Sequence, residues 1–204
     1  MTTFRFHRIT LGVRLAAVAT AAFVCSAASA VAADVLVGPG IVSTGGADSG
    51  ERLNIDQANP SATLAPGTYN VSDFSFWSTA TTGSVTPFLA QQRSGDSYTT
   101  LWVGSPVATG ATGLSGAAYT AGTEQFTLVN SAQVFAGHFM SSGARVAFDG
   151  SSTTDHDNSF SALSAPNQVV GGFSNPNLAR AYSFGVNVDN VSATSAAGLS
   201  LVPG

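Results

Sequence analysis

The chain has 204 residues, eleven carboxylates, seven arginines and no lysine, and only 9% of it is charged. Three of the arginines precede residue 15, so from residue 33 onward the balance is 4 − 11 = −7. A surface of that sign repels phosphate backbones and excludes nucleic acid as a partner, and one so poor in charge must be built from Ser, Thr, Asn and Gln.

Residues 1–32 read as a secretory signal peptide. Arg5, Arg8 and Arg14 precede an apolar run over 15–24, and Ala28-Ser29-Ala30 and Ala30-Val31-Ala32 both satisfy the small-x-small cleavage rule. The run is too short to cross a hydrocarbon layer of roughly 30 Å, and no later stretch is long and apolar enough, so no membrane span is expected after cleavage. Cys25, the one cysteine, lies in this leader. Residues 33–204 are therefore expected to form a single domain without disulfides, with a short C-terminal tail, secreted to the extracellular space, the cell surface or the periplasm.

After the leader, residues 35–37 read as an entry strand, followed by the glycine-rich loop Gly38-Pro39-Gly40 to Gly50. One more short strand is expected within 52–64, with a turn at Asn59-Pro60. Ala65-Pro66-Gly67-Thr68 is a turn, and it launches a strand over 69–77. Tyr69 and Val71 share one parity while Phe74 and Phe76 share the other, so a bulge or bend is expected at Ser72-Asp73. Strands over 84–90 and 98–103 follow, and Pro87, which has no N–H, places the first at a sheet edge or gives it a local break.

Residues 104–123 are mostly Gly, Ala, Thr and Ser, and read as a long crossing loop or as holding one short strand around 117–120. Three consecutive antiparallel strands are expected over 126–130, 132–140 and 145–149, then short runs at 159–163 and 168–170. Tyr182, Phe184, Val186 and Val188 keep strict period two, the clearest strand of the chain. With turns about every ten residues and no helical spacing after the leader, the class is all-β. About eight to ten short strands are expected to form a two-sheet antiparallel β-sandwich of jelly-roll type, with a closed β-barrel as the alternative.

Three constellations could carry chemistry. Asp149, Asp155, Asp157 and Asn158 concentrate oxygen donors in what reads as a loop, the ligand type that calcium takes. The same residues are also ordinary turn formers, and their spacing departs from the EF-hand pattern. His156, between Asp155 and Asp157, adds a donor suited to a transition metal but without a spacing motif. Tyr98 and Trp102 alternate with Leu101 and Val103. If the latter pair is core, Tyr98 and Trp102 are left near the surface to stack on sugar rings, together with Trp77. His138 shares the parity of Val134, Ala136 and Met140, and is expected as a hydrogen-bonded core or rim histidine. There is no Gly-x-Ser-x-Gly elbow, no His-Glu-x-x-His and no phosphate loop, so an enzyme is not expected.

Ala65-Pro66-Gly67-Thr68-Tyr69, Val85-Thr86-Pro87-Phe88-Leu89-Ala90, the run from Tyr98 to Gly104 and Thr154-Asp155-His156-Asp157 together resemble a pattern of bacterial secreted β-sandwich exoproteins, some with PEP-CTERM type sorting tails. The resemblance spans roughly residues 60–160 and implies an exported or matrix-associated protein without assigned catalysis. The sequence stops at Val202-Pro203-Gly204, where such a tail would continue. The expected function is a secreted, non-catalytic structural or cell-surface protein acting through self-association or contacts with extracellular polysaccharide. The alternatives are a calcium-supported carbohydrate-binding module or a hydrolase built on scattered Asp residues.

Overall fold

A computed structural model describes residues 34–48, 50–55, 62–95, 97–150, 155–158, 163, 165–172, 175–178 and 180–191. The expected leader, the 159–162 part of one expected strand, and the C-terminal tail beyond residue 191 lie outside these. The described strands are β1 (Val35–Gly40), β2 (Arg52–Ile55), β3 (Ala62–Leu64), β4 (Gly67–Ser78), β5 (Ser84–Ser94), β6 (Ser97–Val103), β7 (Val107–Ala108), β8 (Gly113–Ala118), β9 (Gln125–Leu128), β10 (Ala132–Met140), β11 (Phe148–Asp149), β12 (Asp155–Asn158), β13 (Val169–Val170), β14 (Asn175–Leu178), β15 (Ala181–Tyr182) and β16 (Phe184–Asn190).

All their pairings are antiparallel. One sheet runs β1-β16-β4-β8, with β9 beside β8 along the same side of β4. The larger sheet runs β13-β6-β5-β10-β2-β12-β14, with β3 also on β10 and β7 also on β5, and β11 and β15 make a small third sheet. The architecture is an all-β sandwich, with both main sheets ending in edges. It has more strands than expected. Long runs such as the 12-residue β4 pair with successive partners, and β7, β11, β13 and β15 have only two residues each.

The re-phasing of β4 is a bulge at Ser72: Asp73 pairs with Asn187 and Val71 with Val188, leaving Ser72 with no counterpart. The bulge lets Tyr69, Val71, Phe74 and Phe76 all enter one core, where they meet Phe184, Val186 and Val188 from β16 and Leu89, Val134, Ala136 and Met140 from the larger sheet. Each large apolar side chain so buried contributes about 1.5–3 kcal/mol.

Pro87 does not lie at a sheet edge, because β5 runs between β6 and β10. The carbonyl of Pro87 accepts from Gly104 N–H at 2.9 Å. Its missing N–H therefore falls on the side where β6 has ended and β7 has not begun, so no partner carbonyl is left waiting.

The three consecutive strands expected over 126–149 are instead distributed: β9 joins the smaller sheet, β10 the larger and β11 the third. The segment after Gly104 does cross between sheets, from β7 in the larger to β8 in the smaller, and its strand begins earlier than expected. The strand over 181–189 is broken at Ser183, whose N–H goes to Ala147 O and whose carbonyl accepts from Trp77 N–H. β15 and β16 thus take different partners, while Tyr182, Phe184, Val186 and Val188 all stay buried.

Candidate functional site

The oxygen-donor residues do not share one loop. Asp149 is in β11, paired with Ala181, whereas the backbone of Asp155, Asp157 and Asn158 is strand β12, paired with β2 on one side and β14 on the other. The expected acidic loop is thus partly strand, since β2 and β14 both offer it a ladder. Among the described residues no group of three or more His, Cys, Asp or Glu side chains is placed to hold a metal ion.

The expected exposure of Tyr98 and Trp102 is corrected. Tyr98 is 0% and Trp102 2% exposed, and Leu101 and Val103 are the half-buried pair. The cause is a bulge in β6: Leu89 pairs with Trp102 and Ala90 with Thr100, so Leu101 is extra. One extra residue turns Tyr98 and Trp102 to opposite faces of the sheet. Trp102 enters the core between the sheets, donates its indole N–H to Glu124 Oε2 at 2.7 Å, and meets Tyr119 edge-on at 5.5 Å. Tyr98 packs on the other face with Phe88, Phe135 and Val170. Burial, reinforced by the carboxylates of Glu124 and Asp73, pushes the Tyr119 phenol up to about 12.

Of the three expected sugar-stacking residues only Trp77 is half-exposed, in a groove of about 370 Å³ with Thr44, Ser78, Thr79 and Thr112.

His138 is core, as its parity implied. It is fully buried, accepts a hydrogen bond on Nε2 from Asn54 Nδ2 at 3.0 Å, and meets the rings of Tyr182 and Phe184 edge-on at 5.0 and 4.6 Å. With Nε2 accepting, the imidazole proton sits on Nδ1, and neither Nδ1 nor Asn54 Oδ1 has a hydrogen-bond partner among the described residues. Desolvation drives its pKa down to about 3, so the ring is neutral.

Tyr182 links this core to a surface cluster. Its hydroxyl donates to Asp48 Oδ2, which also accepts from Arg180 and, at 3.4 Å, from Arg52. Arg180 lies over the Phe148 ring at 4.4 Å. The cluster ties the loop after β1 to the chain before β15. Asp48→Ala is expected to lower stability by about 2 kcal/mol in chemical denaturation, and Asp48→Asn, which keeps an acceptor for the tyrosine, by about half that. No sequence signal foretold it, because Asp48 and Arg180 stand 132 positions apart.

The group of backbone atoms most open to a partner lies on β8. Tyr119 N–H bonds Ser72 O, and the register Ala118↔Asp73 to Gly113↔Ser78 continues without a shift. Period two then turns the backbone groups of Gly113, Ser115 and Ala117 toward β4 and those of Leu114, Gly116 and Ala118 away from it. No hydrogen-bond partner for the latter three exists among the described residues. Other described edges are guarded or shorter: β1 has Pro39 and a bulge, β14 has Pro176, β13 has two residues, and β9, uncharged like β8, has four against the six of β8. β8 has no charge, no proline and no bulge, and its Leu114 is 66% exposed. Those are the properties of an edge that accepts another strand.

Comparison with protein-family models, with curated proteins and with solved structures found no match.

Proposed function

We propose that this is an exported, non-catalytic structural protein that works by associating with copies of itself at the cell surface or in the extracellular matrix. The observation that carries the reading is the unguarded β8 edge, three residues of unpaired backbone on a strand without charge.

The polar side chains best placed for chemistry are committed to holding the fold, which also supports it. Glu124 is held by Trp102, Asp73 accepts both bonds of the Asn187 amide, Asp48 is shared by three donors, and His138 is sealed in the core. Trp77 and the hydroxyls beside it give a polysaccharide chain one place to lie near that edge, since Trp77 pairs with Leu114.

Sedimentation of the exported protein over a wide concentration range tests the reading. The expected result is a weight-average mass that rises with concentration and is not lowered by salt, because the edge is uncharged and salt only screens the repulsion between like-charged copies. A strict monomer at the highest concentration rules the reading out.

A further inference from the structure

We propose that β8 pairs antiparallel with β8 of a second copy about a two-fold axis at Gly116, joining two five-stranded sheets into one continuous sheet. This rests on the self-association reading and specifies its contact.

The outward-facing residues are Leu114, Gly116 and Ala118, evenly spaced about Gly116. Laid antiparallel on itself, this set brings Gly116 opposite Gly116 of the second copy and Leu114 opposite the second copy's Ala118, and the reverse. All three are hydrogen-bonded pairs, each exchanging two bonds, so every unpaired N–H and C=O of the three residues is satisfied. A shift by one residue would oppose groups that are already bonded to β4, and a shift by two leaves a residue of each strand unpaired.

The side chains agree with that register. Leu114, Gly116 and Ala118 lie beside Trp77, Ser75 and Asp73 on the outer face of the sheet. In the pair, each exposed Leu114 gains an alanine neighbour on the side away from Trp77, and the glycines meet at the axis with no side chain to collide. The nearest carboxylate, Asp73, is held by the Asn187 amide at 3.0 Å through both its oxygens. Nothing on β8 itself offers a charge to select a basic or acidic partner, which favours an equally uncharged strand: its own copy. The contact is isologous and closes as a dimer rather than a fibre.

The test uses the exported protein, in which no other thiol is present because Cys25, the one cysteine of the chain, lies in the expected leader. In the proposed register the Cα atoms of residues 114 and 118 of different copies are about 5.5 Å apart, within reach of a disulfide. Residue 114 is roughly 13 Å along the strand from its own equivalent and from residue 118 of its own chain. Leu114→Cys/Ala118→Cys is therefore expected to oxidise to a covalent dimer, and each single variant to remain monomeric on a denaturing gel. In parallel, Leu114→Lys is expected to weaken the dimer at least tenfold in sedimentation while leaving the melting temperature unchanged at concentrations where both proteins are monomeric, since Leu114 is exposed there.

Wild-type association that Leu114→Lys leaves intact, with no cross-link from the double variant, overturns this contact and places association elsewhere. Equal cross-linking by the single variants overturns the register. Absence of any wild-type association overturns the self-association reading and this contact with it.

Discussion

Lowering the pH from 7 to 4 is expected to cost the fold about 3 kcal/mol through His138 alone. The folded imidazole titrates at about 3 because it is desolvated, while in the unfolded chain a histidine titrates near 6.5. Between those values the unfolded state binds the extra proton, so stability falls as pH falls, by about 1.4 kcal/mol per unit, and is fully present above the unfolded value. The groups that face the ring are the Asn54 amide and the Tyr182 and Phe184 rings, none of them an anion that could hold the charge. Denaturation at a series of pH values measures the slope. In His138→Gln the imidazole's share should vanish, leaving only the slope from carboxylates and the remaining histidines. Identical slopes in the two proteins would show that the buried ring does not titrate as described.

Phe184→Ala is expected to cost about 3–5 kcal/mol at neutral pH, the largest effect of a single substitution proposed for this chain. Phe184 is fully buried in the strand that joins β1 to β4, and its ring packs edge-on against His138. The cavity removes dispersion contacts and also opens space for water beside the imidazole, raising the His138 pKa from about 3 towards its ordinary value. Two readouts are coupled here: stability falls at pH 7, and the acid slope becomes shallower. Phe184→Leu, which keeps the site dry, is expected to cost less and to retain the slope.

Much of the fold could be read in residue alternation. The strand of Phe184, Val186 and Val188, the bulge at Ser72 and the inward-facing His138 all follow from parity within one short run, whereas the break at Ser183 that gives Tyr182 to another strand does not. Parity fails where the extra residue carries no mark of its own. Nothing in Tyr98-Thr99-Thr100-Leu101-Trp102 announces that Leu101 is unpaired, so the two aromatic residues looked co-facial and proved to be on opposite sides of a sheet. Partners were equally hidden. The runs at 126–130, 132–140 and 145–149 are adjacent in sequence yet separate into three sheets, because strand order depends on loop reach and core shape rather than on alternation. The open edge of β8 was hidden for a third reason: Gly, Ala and Ser look like loop until β4 supplies their ladder.

The position of β16 has a consequence for the order in which the molecule can be made. It is the strand that fills the space between β1 and β4, so residues 35–37 find their partners only at 186–188. A chain synthesised from its N-terminus cannot complete this sheet until residues 184–190 have been made. Val35 and Val188 stand about 150 positions apart, and such non-local closure is slow. The centre of the larger sheet faces no such delay, because β5, β6 and β10 all lie within residues 84–140 and can pair before β16 exists.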